Sequence, residues 1–225
     1  LRPAMTGVYL NIEEGNSTFV ATDGHRLIKY QRSDITSDSQ NAIIIPRKAL
    51  NLLKNVLPTE NSSVSVEYNL SNAFFEFSHV RMICRLIDER YPDYENVIPA
   101  DNDNIMTINR TEFLSSLKRI AIYANKTTNQ VKLKITGSEL QISAEDLDFS
   151  NEANERLSCE HDGEDIVIGF NARFLIEMLS NMERPEVYLK LSESNRAGLI
   201  VPKEQGDGED LLMLVMPFMI NNYTL

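Results

Sequence analysis

The stretch IMTINRTEFLSSLKRIAIYANKTTNQVKLKITGSELQISAE, Ile105–Glu145, reads as a strand, a helix and two further strands. IMTI is a short apolar run of strand length. Thr111–Asn125 then places Phe113, Leu114, Leu117, Ile120, Ala121 and Ala124 at i, i+3, i+4 spacing, one face of a helix. VKLKIT alternates apolar and polar residues with the period of two that a half-exposed strand requires. A third trailing strand, ANERLSC, follows, and the pattern of strand, helix and three strands occurs in two more copies. One runs from NAIIIP through the helix RKALNLLKNVL, with Leu50, Leu53, Val56 and Leu57 as its apolar stripe, to VSVEYNL, AFFEF and RMICRLI. The other has DIVIGF, the helix ARFLIEMLSNM, then EVYLKLS, AGLIV and DLLMLVM.

Ahead of these copies lie only strands, MTGVYLNI, TFVAT and RLIKYQRS, which match the trailing half of a fourth copy. If copies pair, residues 1–98 form a truncated domain and residues 104–225 a complete one. The turn-rich PADNDN, Pro99–Asn104, is then the link, a reading that takes precedence over a DxD-like metal site at Asp101 and Asp103. The class is α+β, strand-dominated, with few helices layered on long antiparallel sheets.

The composition of the 225 residues, 42% hydrophobic and 24% charged, belongs to a chain that buries a core rather than a disordered one. No apolar run is long enough to span a membrane, and Leu1-Arg2-Pro3 resembles neither a signal-peptide start nor an initiator Met, which reads as an N-terminally cut fragment. Cys84 and Cys159 lack metal-ligand spacing, and His25, His79 and His161 are scattered. Reduced, cytoplasmic thiols and no metal or cofactor are the expectation.

A net charge of −11 argues against a protein that coats nucleic acid with its whole surface. The placement of the charges says more than their sum. The helix from Arg47 to Leu57 carries Arg47, Lys48 and Lys54 and no acid, and Lys118 and Arg119 project from the second helix, where Glu112 is the one acid. In a chain with 33 acids and 22 bases, that segregation fits a helix-built surface for the phosphate backbone without base readout. Ile122 and Tyr123 fall off the second helix's apolar stripe and mark a subunit contact.

STFVATDGHRLIKY, Ser17–Tyr30, places Asp23-Gly24 between two strand-like runs, a strong hairpin signal because Gly24 tolerates positive φ. A turn alone does not explain His25 and Arg26. Together with the loop RLIDERYPDYENVIP and the terminal LVMPFMI, the segment ATDGHRL resembles the bacterial DNA polymerase III beta sliding clamps, which have an ATDGHRL hairpin, a LIDGRFPDY loop and a terminal MPMRL. The resemblance covers the chain in order and spacing, as the later part of the middle domain and the whole last domain. It implies a DNA-clamp fold of repeated β-α-β-β-β units, sheets outside and helices lining an inner face toward duplex DNA bound without sequence preference.

In clamps, hairpin, loop and C-terminus line an apolar pocket between the second and third domains. The pocket receives a short Leu/Phe-bearing peptide from polymerase, clamp loader or repair partners. At matching positions the resemblance assigns Thr22, Gly24, His25, Arg26 and Leu27, then Pro92 and Val97, and Leu214, Met216, Pro217 and Phe218. Met5, Asn171 and Phe174 supply further wall. Arg47, Lys48, Lys54, Lys118 and Arg119 would face DNA, and Ile122 and Tyr123 the neighbouring subunit of a homodimeric ring. Asn96 stands where clamps often have Arg, Phe174 where Tyr is frequent, and MPFMI followed by NNYTL replaces MPMRL, which removes a penultimate Arg contact and adds a tail long enough to cover the groove.

Two other classes compete. An enzyme would use Asp23 and His25 as an acid/base pair, yet no P-loop, nucleophile motif or metal cluster accompanies them. A β-rich interaction module would bind protein partners without DNA. The clamp reading describes an accessory subunit that tethers and recruits, with no catalytic residue.

Overall fold

The computed structural model describes residues 2–37, 40–57 and 63–219. The chain divides into two units, Leu1–Tyr94 with Asp207–Asp210, and Glu95–Gly206 with Leu211–Leu225. The NNYTL tail lies outside the described residues.

In the first unit β1 (Gly7–Ile12), β2 (Ser17–Thr22), β3 (Arg26–Arg32) and β4 (Asn41–Pro46) lie in the order β4-β1-β2-β3. The helix α1 (Arg47–Val56) follows, then a second sheet of β5 (Ser65–Tyr68), β6 (Asn72–Phe77) and β7 (Val80–Arg85). Leu10, Ile43 and Ile45 from the first sheet, Ala73 and Phe75 from the second and Ala49 from α1 form one core, with Leu50 and Leu53 against it. Val56, expected on the buried stripe, is 48% exposed. It closes the helix where the chain turns away, and Ala49 in the first turn takes the buried place. Gly7 is required by packing: a Cβ there would stand 2.6 Å from Ile45 O and 2.9 Å from Ile87 Cδ1. Glu209, one of the late residues of this unit, accepts from Tyr30 Oη at 2.9 Å and Arg32 Nη1 at 3.1 Å.

The second unit holds two complete copies. The first comprises β8 (Asn104–Asn109), α2 (Arg110–Ile120), β9 (Gln130–Thr136), β10 (Glu139–Asp146), β11 (Asn151–Ser158) and the short β12 (Glu160–Asp162), which the sequence pattern missed. The second comprises β13 (Ile166–Asn171), α3 (Ala172–Ser180), β14 (Glu186–Leu191), β15 (Gly198–Pro202) and β16 (Glu209–Val215). Each leading strand joins the sheet of the other copy: β13 pairs with β9, Ile168 opposite Leu133, and β8 with β14, Met106 opposite Leu189. That reciprocal exchange is why copies pair into one folded unit. In the first unit β4 likewise pairs with β1.

Asn109 and Asn171 cap α2 and α3 through Oδ1, satisfying amides that a helix start leaves without partners. Phe113, Leu117, Leu175 and Leu179 are fully buried between the sheets. The expectation that α2 runs to Asn125 fails. It ends at Ile120, and i to i−3 bonds, Ile122 to Arg119 at 3.2 Å and Tyr123 to Ile120 at 3.0 Å, tighten the chain into a turn. Ile122 and Tyr123 are 65% and 43% exposed because they lie on that turn, not because of a helical face. The third helix also stops early, at Ser180, where Asn181 Nδ2 donates to Glu177 O at 2.8 Å.

The PADNDN segment is fastened rather than loose. Asn102 is buried and donates from Nδ2 to Lys190 O at 3.0 Å and Ala197 O at 2.9 Å, while Asp101 Oδ2 meets Arg196 Nη1 at 2.6 Å. Arg110 donates to Leu179 O at 3.0 Å and Arg184 O at 2.9 Å, tying the start of α2 to the carbonyl end of α3.

Candidate functional site

The ATDGHRL segment forms the β2–β3 hairpin. Thr22 pairs with Leu27, Asp23 donates its amide to Arg26 O at 3.3 Å, and Gly24 and His25 occupy the two central positions. Gly24 has φ +88, the positive value that a primed turn demands at its first central residue. Asp23 Oδ1 accepts from the His25 and Arg26 amides, both at 3.0 Å, and Oδ2 from Arg26 Nε at 3.0 Å. Burial opposes ionisation of Asp23, but the His25 amide, the Arg26 side chain and the Arg26 amide outweigh it and hold the carboxyl below its usual range. Thr22 Oγ1 donates to Arg26 O at 2.8 Å and accepts from the Gly24 amide at 3.1 Å. The turn is thereby rigid and presents His25 outward. Met5 reaches it, its Cε standing 3.6 Å from where a Gly24 side chain would begin. Leu27, at 3% exposure, belongs to the core.

The loop after β7 carries Pro92, half-buried, and Tyr91, buried. Val97, in a short 3-10 turn of the second unit, is 54% exposed. In that unit β16 delivers Leu214, 3% exposed, and then Met216, 43% exposed. Phe218 donates its amide to Gly169 O at 2.7 Å, an antiparallel bridge that holds Pro217 and Phe218 beside β13. Asn171 spends its side-chain oxygen on the Arg173 amide at 2.9 Å and the Phe174 amide at 3.4 Å, so it fixes the start of α3 and places Phe174. The candidate residues are thus brought together in two groups, Met5, Thr22–Leu27 and Pro92 in the first unit, and Val97, Asn171, Phe174 and Leu214–Phe218 in the second.

The basic residues differ in how available they are. Arg47, Lys48 and Lys54 stand exposed on α1, and an open groove of about 480 Å³ beside Arg47 and Lys48 is completed by Thr6, Asn51 and Asn55 with no carboxylate. Lys118 is exposed on α2. Arg119 is already committed: its Nε and Nη2 meet both Glu155 oxygens at 2.6 Å, and this pairing lowers the Glu155 carboxyl below its usual value.

Two features escaped the sequence reading. Tyr9, Tyr91 and Tyr94 form an aromatic cluster, which YPDY and VYLNI gave no reason to join before their strands were placed. Leu147 and Phe149, 82% and 70% exposed, sit in the β10–β11 turn, and Asp146 beside them receives Asn125 Nδ2 from the turn after α2 at 3.4 Å. Among the described residues no helix is long and apolar enough to cross a membrane.

Paired strand-exchanged copies, each with a helix on its sheets, define a clamp-type fold. Residues 1–93 match the model of the DNA polymerase III beta subunit central domain, and residues 95–217 that of its C-terminal domain. The chain belongs to the DNA polymerase III beta subunit family. It is 28% identical to the beta sliding clamp of Pseudomonas aeruginosa over 221 residues, which is 98% of this chain and 59% of that protein. With the beta sliding clamp of Bacillus subtilis it shares 27% over 219 residues, 96% of this chain and 57% of the relative. A solved P. aeruginosa sliding clamp superposes with a TM-score of 0.91 at 27% identity, covering 98% of this chain and 59% of that one. The Thermotoga maritima beta subunit gives 0.88 at 26%, covering 97% and 59%. The chain therefore spans under two thirds of the length of these relatives.

Proposed function

We propose that this chain is the peptide-recruiting part of a sliding clamp, an accessory subunit of bacterial DNA replication. Its middle domain is represented by residues 1–98 and its last domain by residues 104–225. The observation that carries the reading is the hairpin, where the Thr22 hydroxyl and the Asp23 carboxylate fix the turn and His25 is exposed at its tip. That use of Asp23 speaks against an acid/base role. A Leu/Phe-bearing peptide of polymerase, loader or repair proteins is met by His25, Arg26 and Pro92 of the first unit, and Met216, Pro217 and Phe218 are the residues the second unit offers it. A P. aeruginosa clamp and a Bartonella birtlesii clamp have each been solved bound to griselimycin, which supports a ligand site in this family. Methionines suit a groove shared by several partners because an unbranched thioether repacks easily.

Two buried anchors contribute roughly 1.5–3 kcal/mol each, while a micromolar complex needs about 8 kcal/mol. Hydrogen bonds close part of that gap, so the contact is micromolar or weaker, as partners that take turns require. Duplex DNA is met by Arg47, Lys48, Lys54 and Lys118 without sequence preference, and the full-length protein forms a homodimeric ring in which Ile122 and Tyr123, joined by Leu147 and Phe149, meet the neighbouring subunit.

The test is a fluorescence titration with a Gln-Leu-x-Leu-Phe-type peptide. Saturable binding that is lost with a Leu/Phe-to-Ala peptide and weakened at least tenfold by His25→Ala is expected. Equal binding by the His25→Ala protein would overturn the assignment of the hairpin.

A further inference from the structure

The face of the β4-β1-β2 sheet that turns away from α1 is covered by the loop following β7. Ile87 donates its amide to Ile44 O at 3.0 Å and places its Cδ1 over Gly7. Tyr9 stands opposite Val20 on β2 and Ile44 on β4, and its ring stacks on Tyr91 with centroids 4.9 Å apart and planes 21° apart. Tyr94 closes the cluster at 6.1 Å from Tyr9 and 6.4 Å from Tyr91. Tyr91 is 8% exposed and donates its hydroxyl to Val20 O at 3.3 Å. Burial pushes its phenol up to about 12, with the Thr22 amide acting against that rise.

These contacts join two pieces of the candidate site that are far apart in sequence. Val20 and Thr22 are alternate residues of one strand and face the same side. Pro92 follows Tyr91 directly. A ring held by stacking on one side and by the β2 backbone at its hydroxyl therefore fixes the distance between Pro92 and the hairpin. Tyrosine does this at small entropic cost because it has two side-chain torsions.

We propose that Tyr9 and Tyr91 are positioning residues, which set peptide affinity by locking the Pro92 loop to the β2–β3 hairpin without touching the peptide. This rests on the peptide-binding reading of that hairpin. Loss of the Tyr91 hydroxyl frees the loop from β2 while keeping the ring, whereas loss of the Tyr9 ring removes the stack itself.

The test uses the full chain with Tyr91→Phe, Tyr9→Phe, Tyr9→Leu and His25→Ala, each titrated with the same peptide below its melting temperature. Tyr91→Phe and Tyr9→Leu are expected to weaken binding roughly three- to tenfold, the scale of one lost hydrogen bond. Tyr9→Phe, which keeps the stacked ring, is expected to lose less affinity than Tyr9→Leu. Without peptide, the Thr22–Leu27 amide resonances of Tyr91→Phe shift, which a contribution to stability alone would not produce in a folded protein. Wild-type affinity and unshifted hairpin resonances in Tyr91→Phe overturn the proposal, and that variant decides the matter should Tyr9→Leu fail to fold. If His25→Ala binds as wild type does, the peptide reading fails instead, and the hairpin resonances of Tyr91→Phe alone decide whether the lock exists.

Discussion

Asp23 shows how one residue fixes a tight turn. Its carboxylate collects two amides and a guanidinium inside four residues, and ionisation is favoured despite burial. The sign follows from that depressed value: the contribution is complete above the ordinary 3.8 and is lost as pH falls through the lower folded value. Asp23→Ala is expected to cost about 1–2 kcal/mol near neutral pH. The gap in melting temperature between it and wild type should shrink as the pH is taken below 3.8; a gap independent of pH would show that the carboxylate is not what holds the turn. The turn was legible because Asp-Gly between apolar runs has few other uses. The Tyr91 bond to Val20 was not, because the two are 71 residues apart and a hydrogen bond across that distance has no local signal.

Elements were legible wherever periodicity was strong, and their ends were not. The strands and the α2 stripe follow from period two and from i, i+3, i+4 spacing, yet α2 stops at Ile120 although its apolar positions continue to Ala124. Tertiary contacts decide such ends: Ala124 remains buried at 2% exposure in the turn, so burial and helix part company there. Asn102 makes the same point from the other side. A segment whose composition reads as a link carries a buried amide that clamps β14 to the chain before β15. Asn102→Ala leaves those two carbonyls short of a donor and should destabilise the chain by roughly 1–3 kcal/mol. Thermal unfolding would register this as a fall of several degrees; an unchanged midpoint would mean that water replaces the amide without loss.

At the scale of the whole molecule, the proposed contact with duplex DNA has to be reconciled with a net charge of −11. Segregation answers it, with α1 free of acids and its cations exposed. Each phosphate neutralised contributes about −0.9 to the log–log salt slope for duplex DNA. With Arg47, Lys48, Lys54 and Lys118 engaged and Arg119 held by Glu155, the slope should be no steeper than about −4. Glu155→Gln releases Arg119 and should steepen the slope by about one, and an unaltered slope would show that Arg119 does not face DNA. The segregation of the bases was legible in the sequence, but the pairing of Arg119 with a residue 36 positions away was not, because it depends on β11 lying beside α2.

The claim on which the rest depends is that this clamp-family chain takes up a Leu/Phe-bearing peptide at the hairpin. Amide chemical-shift mapping of the isotope-labelled chain during titration with such a peptide tests it residue by residue. The expected result is a saturable set of shifts centred on Thr22–Leu27, the neighbours of Pro92, and Leu214–Phe218. Shifts confined to other surfaces, or none at all in a folded sample at millimolar peptide, would contradict it.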